Sequence, residues 1–355
     1  MRKPSSEKSH SNRRSFLKSS GLMTAVAFGS VTLPKLPTVE AKSADTPRPE
    51  PMPTRNLGKT GYKVGIFSLG GQASLEKPHN EDVAVPIIER ALDLGVNYID
   101  TSSIYGGPER WSEQYVGKVM KNRRSQAFLA TKTKERTRDG SKHMLEKSLQ
   151  LLQTDHIDLW QLHDIGTMTD INEIFGKGGA MEALLEARDQ KIVKYLGITG
   201  HYRPDALIEA IHRYPFDTIL MAVNAADPHH FSFSEQLLPL AVEKQMGIIG
   251  MKVPARGRIL STWTPPPIEQ QKHMWEGMVL APTPGTLHMR EAMYYSLSLP
   301  VSTVIIGCDS IAQLEENVQL ARDFTPLSQT QMAALTEKAQ PVSKQSLFFR
   351  FYERG

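Results

Sequence analysis

Three stretches decide the reading of this chain: NYIDTSSIYG at Asn97–Gly106, FLATKT at Phe128–Thr133 and LWQLHD at Leu159–Asp164. Each opens as a short aliphatic or aromatic run of the kind that makes a buried strand, and each closes on a side chain with proton chemistry. The closing residues are Asp100 with Tyr105, then Lys132, then His163. Runs of the same kind recur along the chain, and the predicted strands are Val64–Leu69, Tyr98–Asp100, Phe128–Thr131, His156–Leu162, Tyr195–Thr199, Thr218–Val223, Gly247–Lys252 and Thr303–Ile306. Amphipathic patterns predict helices over Asp82–Leu94, Ser112–Met120, Ser141–Gln153, Gly179–Asp189, Pro204–His212, Ser234–Lys244, Thr286–Ser298 and Ile311–Arg322. Eight alternating pairs imply an α/β domain closed as a (β/α)8 TIM barrel rather than an open doubly wound sheet. SLGGQASL at Ser68–Leu75 lacks the G-x-G-x-x-G spacing, so a Rossmann nucleotide site is not supported. Reactive side chains of such a barrel stand at the carboxyl ends of its strands, so the quoted residues are expected to share one mouth.

Outward from that core, the 355 residues are 40% hydrophobic, enough apolar material for a globular body and free of the biases of disordered or fibrous chains. The formal net charge is +4, but residues 1–41 carry seven Lys or Arg against Glu7 and Glu40, which leaves the remainder near −1. No basic stripe interleaved with aromatics is present, so nothing points to nucleic acid. NRRSFLK at Asn12–Lys18, an apolar stretch Gly21–Leu33 and the small-residue end Val39-Glu40-Ala41 resemble a twin-arginine export signal over 1–41. Thirteen mixed apolar residues are too few for a stable membrane span, so the expectation is periplasmic export through the twin-arginine translocase. The Pro-rich segment 42–53 reads as a linker, 54–322 as the barrel and 323–355 as a C-terminal extension packing on it. The single cysteine, Cys308, excludes an internal disulfide and a cysteine-ligated iron–sulfur cluster.

Taken singly, each residue at the strand ends has an ordinary explanation: a helix cap for Asp100, a rim aromatic for Tyr105, a solvated charge for Lys132, a satisfied core histidine for His163. Four of them at adjacent strand ends are harder to explain that way. The set resembles the motif of the aldo-keto reductase family: an Asp, a Tyr five residues on, a Lys ending the next strand and a His ending the one after. The resemblance covers nearly all of 54–322 and implies reduction of a small-molecule carbonyl by NADP(H) or NAD(H), since no side chain supplies hydride. Tyr105 would donate the proton, and Lys132 would draw the phenol's pKa down from about 10. Asp100 would keep Lys132 charged and aimed, and His163 would orient the carbonyl oxygen.

The resemblance also implies cofactor contacts, several through departures from the family's residues. Gly71 and Gln72 follow the first strand. In GITGHY, Thr199 stands for a Ser and Gly200 offers backbone; in MAVNAAD, Asn224 stands for a Gln. GMKVPARGRIL places Met251 nearest the position of a stacking aromatic, with Lys252 beside it. VIIGCDSIAQLEENVQLA matches the adenosine end through Glu316 and Asn317, with Gln313 where Arg is frequent and Asp309 nearby. A 2′-phosphate would meet little positive charge there unless Arg256 or Arg258 supplies it, which makes NADH a competitor to NADPH.

The connection Pro254–Pro284 is expected to be a belt over the mouth or a plain insertion, and KERTRD at Lys134–Asp139 a solvated loop. The aromatics Phe348, Phe349, Phe351 and Tyr352 are expected to pack on the barrel. Two rivals stand beside the reductase reading. His201, Asp227, His229 and His230 could be drawn together as ligands of a metal-dependent hydrolase. Alternatively, the chain keeps the reductase fold as a sensor or binding protein with a tightly held nicotinamide and slow turnover.

Overall fold

The computed structural model describes residues 51–274 and 279–351, one compact unit. The chain opens with an antiparallel hairpin, β1 Thr54–Asn56 and β2 Lys63–Gly65, in the register Thr54↔Gly65 and Asn56↔Lys63. Its turn closes against the amino end of the barrel, where a Cβ on Gly58 would stand 2.2 Å from the Gly247 nitrogen and φ is +52°. Glycine alone fits that approach and that dihedral. The expected strand Val64–Leu69 is therefore two elements, because the Asn97 side chain takes Gly65 N–H and donates to Lys63 O, holding β2 outside the barrel.

The eight barrel strands are β3 Phe67–Gly70, β4 Tyr98–Asp100, β5 Phe128–Thr133, β6 Ile157–Leu162, β7 Val193–Gly200, β8 Thr218–Ala222, β9 Gly247–Met251 and β10 Thr303–Ile306. All neighbours are parallel, and β10 pairs with both β9 and β3, which closes the ring. Apart from Asp158 in β6 and Lys194 and Tyr195 in β7, these strands are buried on both faces, so their sequences read as continuous apolar runs rather than alternations. Helices lie between strands as expected, and Ile311–Arg322 matches its predicted bounds. The single helix expected over Ser234–Lys244 is two, Phe233–Gln236 and Leu238–Glu243, with Pro239 at the start of the second. Among the described residues no helix is long and apolar enough to cross a membrane.

Two additions sit at the carboxyl end. A helix at Met168–Phe175 follows β6, started by a Thr167/Asp170 capping box. The connection after β9 folds back on itself: Leu260 pairs with Leu287, and the Gln271 amide is held by Pro266 O, Ala281 O and Ala281 N. Gln345 of the C-terminal segment donates to Arg258 O and Thr283 O, tying both ends of that connection together. In the C-terminal segment Phe348 and Phe349 are each 8% exposed, while Tyr352 lies outside the described residues, as do residues 1–41, expected as an export signal, and residues 42–50.

Candidate active site

Asp100 ends β4 and Lys132 stands one residue from the end of β5, both fully buried. The ammonium donates to Asp100 Oδ2 at 2.5 Å and to Thr101 O at 2.7 Å, and the Gln161 amide approaches Asp100 Oδ1 at 3.4 Å. Burial raises the Asp100 carboxyl and lowers Lys132, each opposed by its partner. An ion pair at this depth is held by geometry as much as by charge.

Tyr105 sits on the turn after β4, 8% exposed, its ring centroid 5.0 Å from the Lys132 ammonium. His163, at the end of β6, meets that ring edge-on with centroids 5.8 Å apart. The structure thus brings all four sequence-predicted residues to one mouth. It departs from expectation on Tyr105: burial holds the phenol well above 10, the Asp100 charge adds to the rise, and no lowering by Lys132 registers. Desolvation is the first cause of that rise. His163 is held neutral, well below 6.5, first by burial and then by Lys132.

The sequence reading missed the groups that aim His163. Ser102 Oγ lies 2.9 Å from its Nδ1. Arg136 donates to His163 O and Asp164 O at 3.0 and 3.1 Å and to Asp170 at 2.8 Å. KERTRD is therefore no simple solvated loop, because Arg136 fastens the strand end that carries the histidine. The T-x-x-D box at Thr167 was the available signal, since Asp170 is the carboxylate Arg136 needs.

The residues implied for a dinucleotide are spread around the same mouth. A Cβ on Gly71 would lie 2.6 Å from Asp100 O, so this glycine lets the first loop touch the strand end. Gln72 bridges Lys252 Nζ at 3.1 Å and Glu76 at 3.0 Å. Thr199 Oγ1 accepts from Asp164 N at 2.8 Å and keeps its own proton to donate, while the Gly200 backbone follows at the end of β7. Asn224 engages backbone on both sides, donating to Lys252 O and accepting from Ala226 N at 3.0 Å each. Its amide thus holds the turn after β9 in place. Met251 ends β9 at 5% exposure. At the opposite end, Gln313 Oε1 accepts from Asp309 N, Glu316 is exposed, and Asn317 is buried with its amide 3.5 Å from Cys308 Sγ. Arg258 is absorbed in the connection after β9, donating to Val279 O with its guanidinium over Phe348, and Arg256 reaches Glu76 at 3.3 Å. The polar donors and the Lys252 ammonium around this mouth are groups that could hold a dinucleotide.

The residues of the rival metal reading go to separate partners. Asp227 pairs with buried Arg350, His229 meets Thr336 O, His230 stacks on Phe351, and His201 pairs with Asp164. Among the described residues no group of three potential ligands gathers.

The closed parallel barrel thus carries an Asp–Lys pair, a tyrosine and a histidine at its carboxyl mouth. The chain belongs to the aldo/keto reductase family, whose model matches residues 63–340. It is 30% identical over 327 residues to an uncharacterized oxidoreductase of Bacillus subtilis, YqkF, covering 84% of this chain and 98% of that one. An L-galactose dehydrogenase of Arabidopsis thaliana is 28% identical, covering 78% and 90% of the two chains. Among solved structures, the holo form of the aldo-keto reductase AKR11C1 of Bacillus halodurans superposes with a TM-score of 0.65 at 29% identity, covering 81% of this chain and 96% of that one.

Proposed function

We propose that this protein reduces an aldehyde or ketone by hydride transfer from a nicotinamide dinucleotide, with Tyr105 giving the carbonyl oxygen its proton. The observation that carries the reading is the packing of Lys132, Tyr105 and His163 around one point at the mouth, with Asp100 fixing the ammonium. The dinucleotide, when bound, supplies the hydride. Every other task falls to the chain. Neutral His163, aimed by Ser102 and Arg136, hydrogen-bonds the carbonyl oxygen and sets its angle. Tyr105 holds its proton throughout the neutral range because burial keeps the phenol un-ionised. It releases that proton as the oxygen gains negative charge, and Lys132 stabilises the phenolate that results. This favours reduction over oxidation of an alcohol, which would need the phenolate beforehand.

NADH is the proposed preferred donor. Asp309, beside the amino end of the helix Ile311–Arg322, is bound by Lys77 at 2.6 Å, so a 2′-phosphate there meets a carboxylate and has to compete for its lysine. Incubating the domain from about residue 42 with NADH or NADPH and a panel of aldehydes, ketones and quinones tests the reading. Consumption of reduced dinucleotide matched mole for mole by alcohol is expected, and no consumption with any carbonyl would overturn it. Segment 1–41 is proposed to direct export to the periplasm. Replacing Arg13 and Arg14 together by Lys should leave the precursor unprocessed in the cytoplasm, and normal processing would refute this.

A further inference from the structure

Among the described residues, Lys252 differs from three other cations at the strand ends and loops of the barrel mouth. Lys132 has Asp100 at 2.5 Å, Arg256 has Glu76 at 3.3 Å and Lys134 has Asp164 at 3.8 Å. Lys252 instead donates at 3.1 Å to the neutral carboxamide of Gln72, across the mouth on the first loop. The turn that presents it is strained: φ is +61° at Lys252, a conformation that a residue with a Cβ rarely adopts. Asn224 holds that turn by donating to Lys252 O at 3.0 Å. Backbone strain maintained by a buried side-chain amide is the kind of outlier that clusters where a fold positions a working group.

We propose that Lys252 is the oxyanion receptor of this mouth, a cation that completes its charge only when a ligand brings an anionic oxygen to it, and that ligand binding is thereby coupled to uptake of a proton. The oxyanion belongs either to a phosphate of the dinucleotide or to a carboxylate on the carbonyl substrate. The inference rests on the reductase reading for its ligands and on the geometry of the turn for its site.

The charges around Lys252 come from every side of the mouth. Asp100 and Lys132 stand on β4 and β5, Asp164 after β6, Glu76 on the first loop and Arg256 on its own loop. Burial, and then Arg256, bring the ammonium down to about 7, against the pull of Glu76 and Asp164. Near neutral pH the free site is therefore divided between charged and neutral forms. An arriving oxyanion favours the charged form and raises its pKa, so binding draws a proton from solution. The sign follows: affinity is greatest below pH 7 and falls by up to about tenfold per pH unit above it, until the pKa of the bound state is reached.

Calorimetric titration of the full chain with NADH at pH 8, in buffers of different ionisation enthalpy, reads the proton directly. Uptake approaching one proton per NADH assigns the oxyanion to the dinucleotide. If uptake is absent there, a 2-oxo acid and its methyl ester are titrated into the complex with oxidised dinucleotide. Uptake with the acid alone assigns it to the substrate. Lys252→Arg keeps its charge at all these pH values, so it should match the parent's affinity below pH 7 and exceed it increasingly above, with neither proton uptake nor pH slope. Lys252→Met should bind about tenfold or more weakly at pH 6.5 and converge on the parent by pH 9. No uptake in either arm, or an unchanged pH slope in Lys252→Arg, overturns the inference. Sulfate, which does not titrate in this range, serves as a minimal probe. If NADH fails to bind while sulfate binding is proton-linked through Lys252, the reductase reading falls and the receptor stands.

Discussion

Removing either partner of the Asp100–Lys132 pair should destabilise the barrel far more than removing both. The pair is fully buried, and the ammonium's only other partner among the described residues is Thr101 O. Orphaning one buried charge costs about 3–5 kcal/mol, whereas an apolar pair of similar volume is close to neutral. For a domain of this size each kcal/mol moves Tm by roughly 2 °C or somewhat more, so Asp100→Leu and Lys132→Met singly should each lower Tm by about 6–10 °C. The double variant should recover most of either single loss, so the coupling in the cycle should be at least as large as one single loss, about 3–5 kcal/mol. The penalties also have opposite pH signs. Burial raises Asp100, so without its lysine it is relieved by taking up a proton as pH falls. Burial lowers Lys132, so without its carboxylate it is relieved by losing a proton as pH rises. Thermal melts of the four proteins between pH 5.5 and 9 measure both effects. Additive losses, or single variants with no opposed pH trend, would refute the reasoning.

Three further outcomes are expected. Arg350→Ala leaves Asp227 buried without its partner and frees three carbonyl contacts at Ala222, Asp227 and His230, so stability should fall by about 3–5 kcal/mol, and proteolysis should clip the C-terminal segment first; equal protease resistance would contradict the anchoring role. Asp309→Ala should raise kcat/KM for NADPH relative to NADH by about tenfold, the value of one removed like-charge contact near a phosphate, and an unchanged ratio would place the 2′-phosphate elsewhere. Because Lys252 is about 7 when folded and returns to its ordinary value on unfolding, the unfolded chain binds the extra proton between those limits, so stability should rise with pH from about 7 to 10 and Lys252→Met should flatten that rise. Parallel melting curves across pH for the two proteins would count against the buried ammonium.

The strands were legible because a parallel barrel buries both faces of each one, and runs such as Leu159–Leu162 and Thr303–Ile306 carry no competing signal. The four residues at the mouth were legible because chain order maps onto strand order. What escaped was tertiary in origin. Nothing in Lys63–Gly65 announces that Asn97 will hold it outside the barrel. The loop KERTRD conceals that Arg136 reaches β6. The pKa of Tyr105 depends on its burial and on the Asp100 charge near it, which residue types alone do not give. Lys252 entered the sequence reading only as a cofactor contact implied by the resemblance, and its strained φ and neutral partner came from the turn itself.

The measurement that bears most directly on the central claim is single-turnover reduction of an aldehyde by the Tyr105→Phe variant loaded with NADH, run beside the parent. Removing a positioned general acid costs about 10²–10⁴ in rate. The account predicts a loss of that order in the chemical step, with NADH affinity and Tm within error of the parent. A variant that reduces the aldehyde at the parental rate would contradict it.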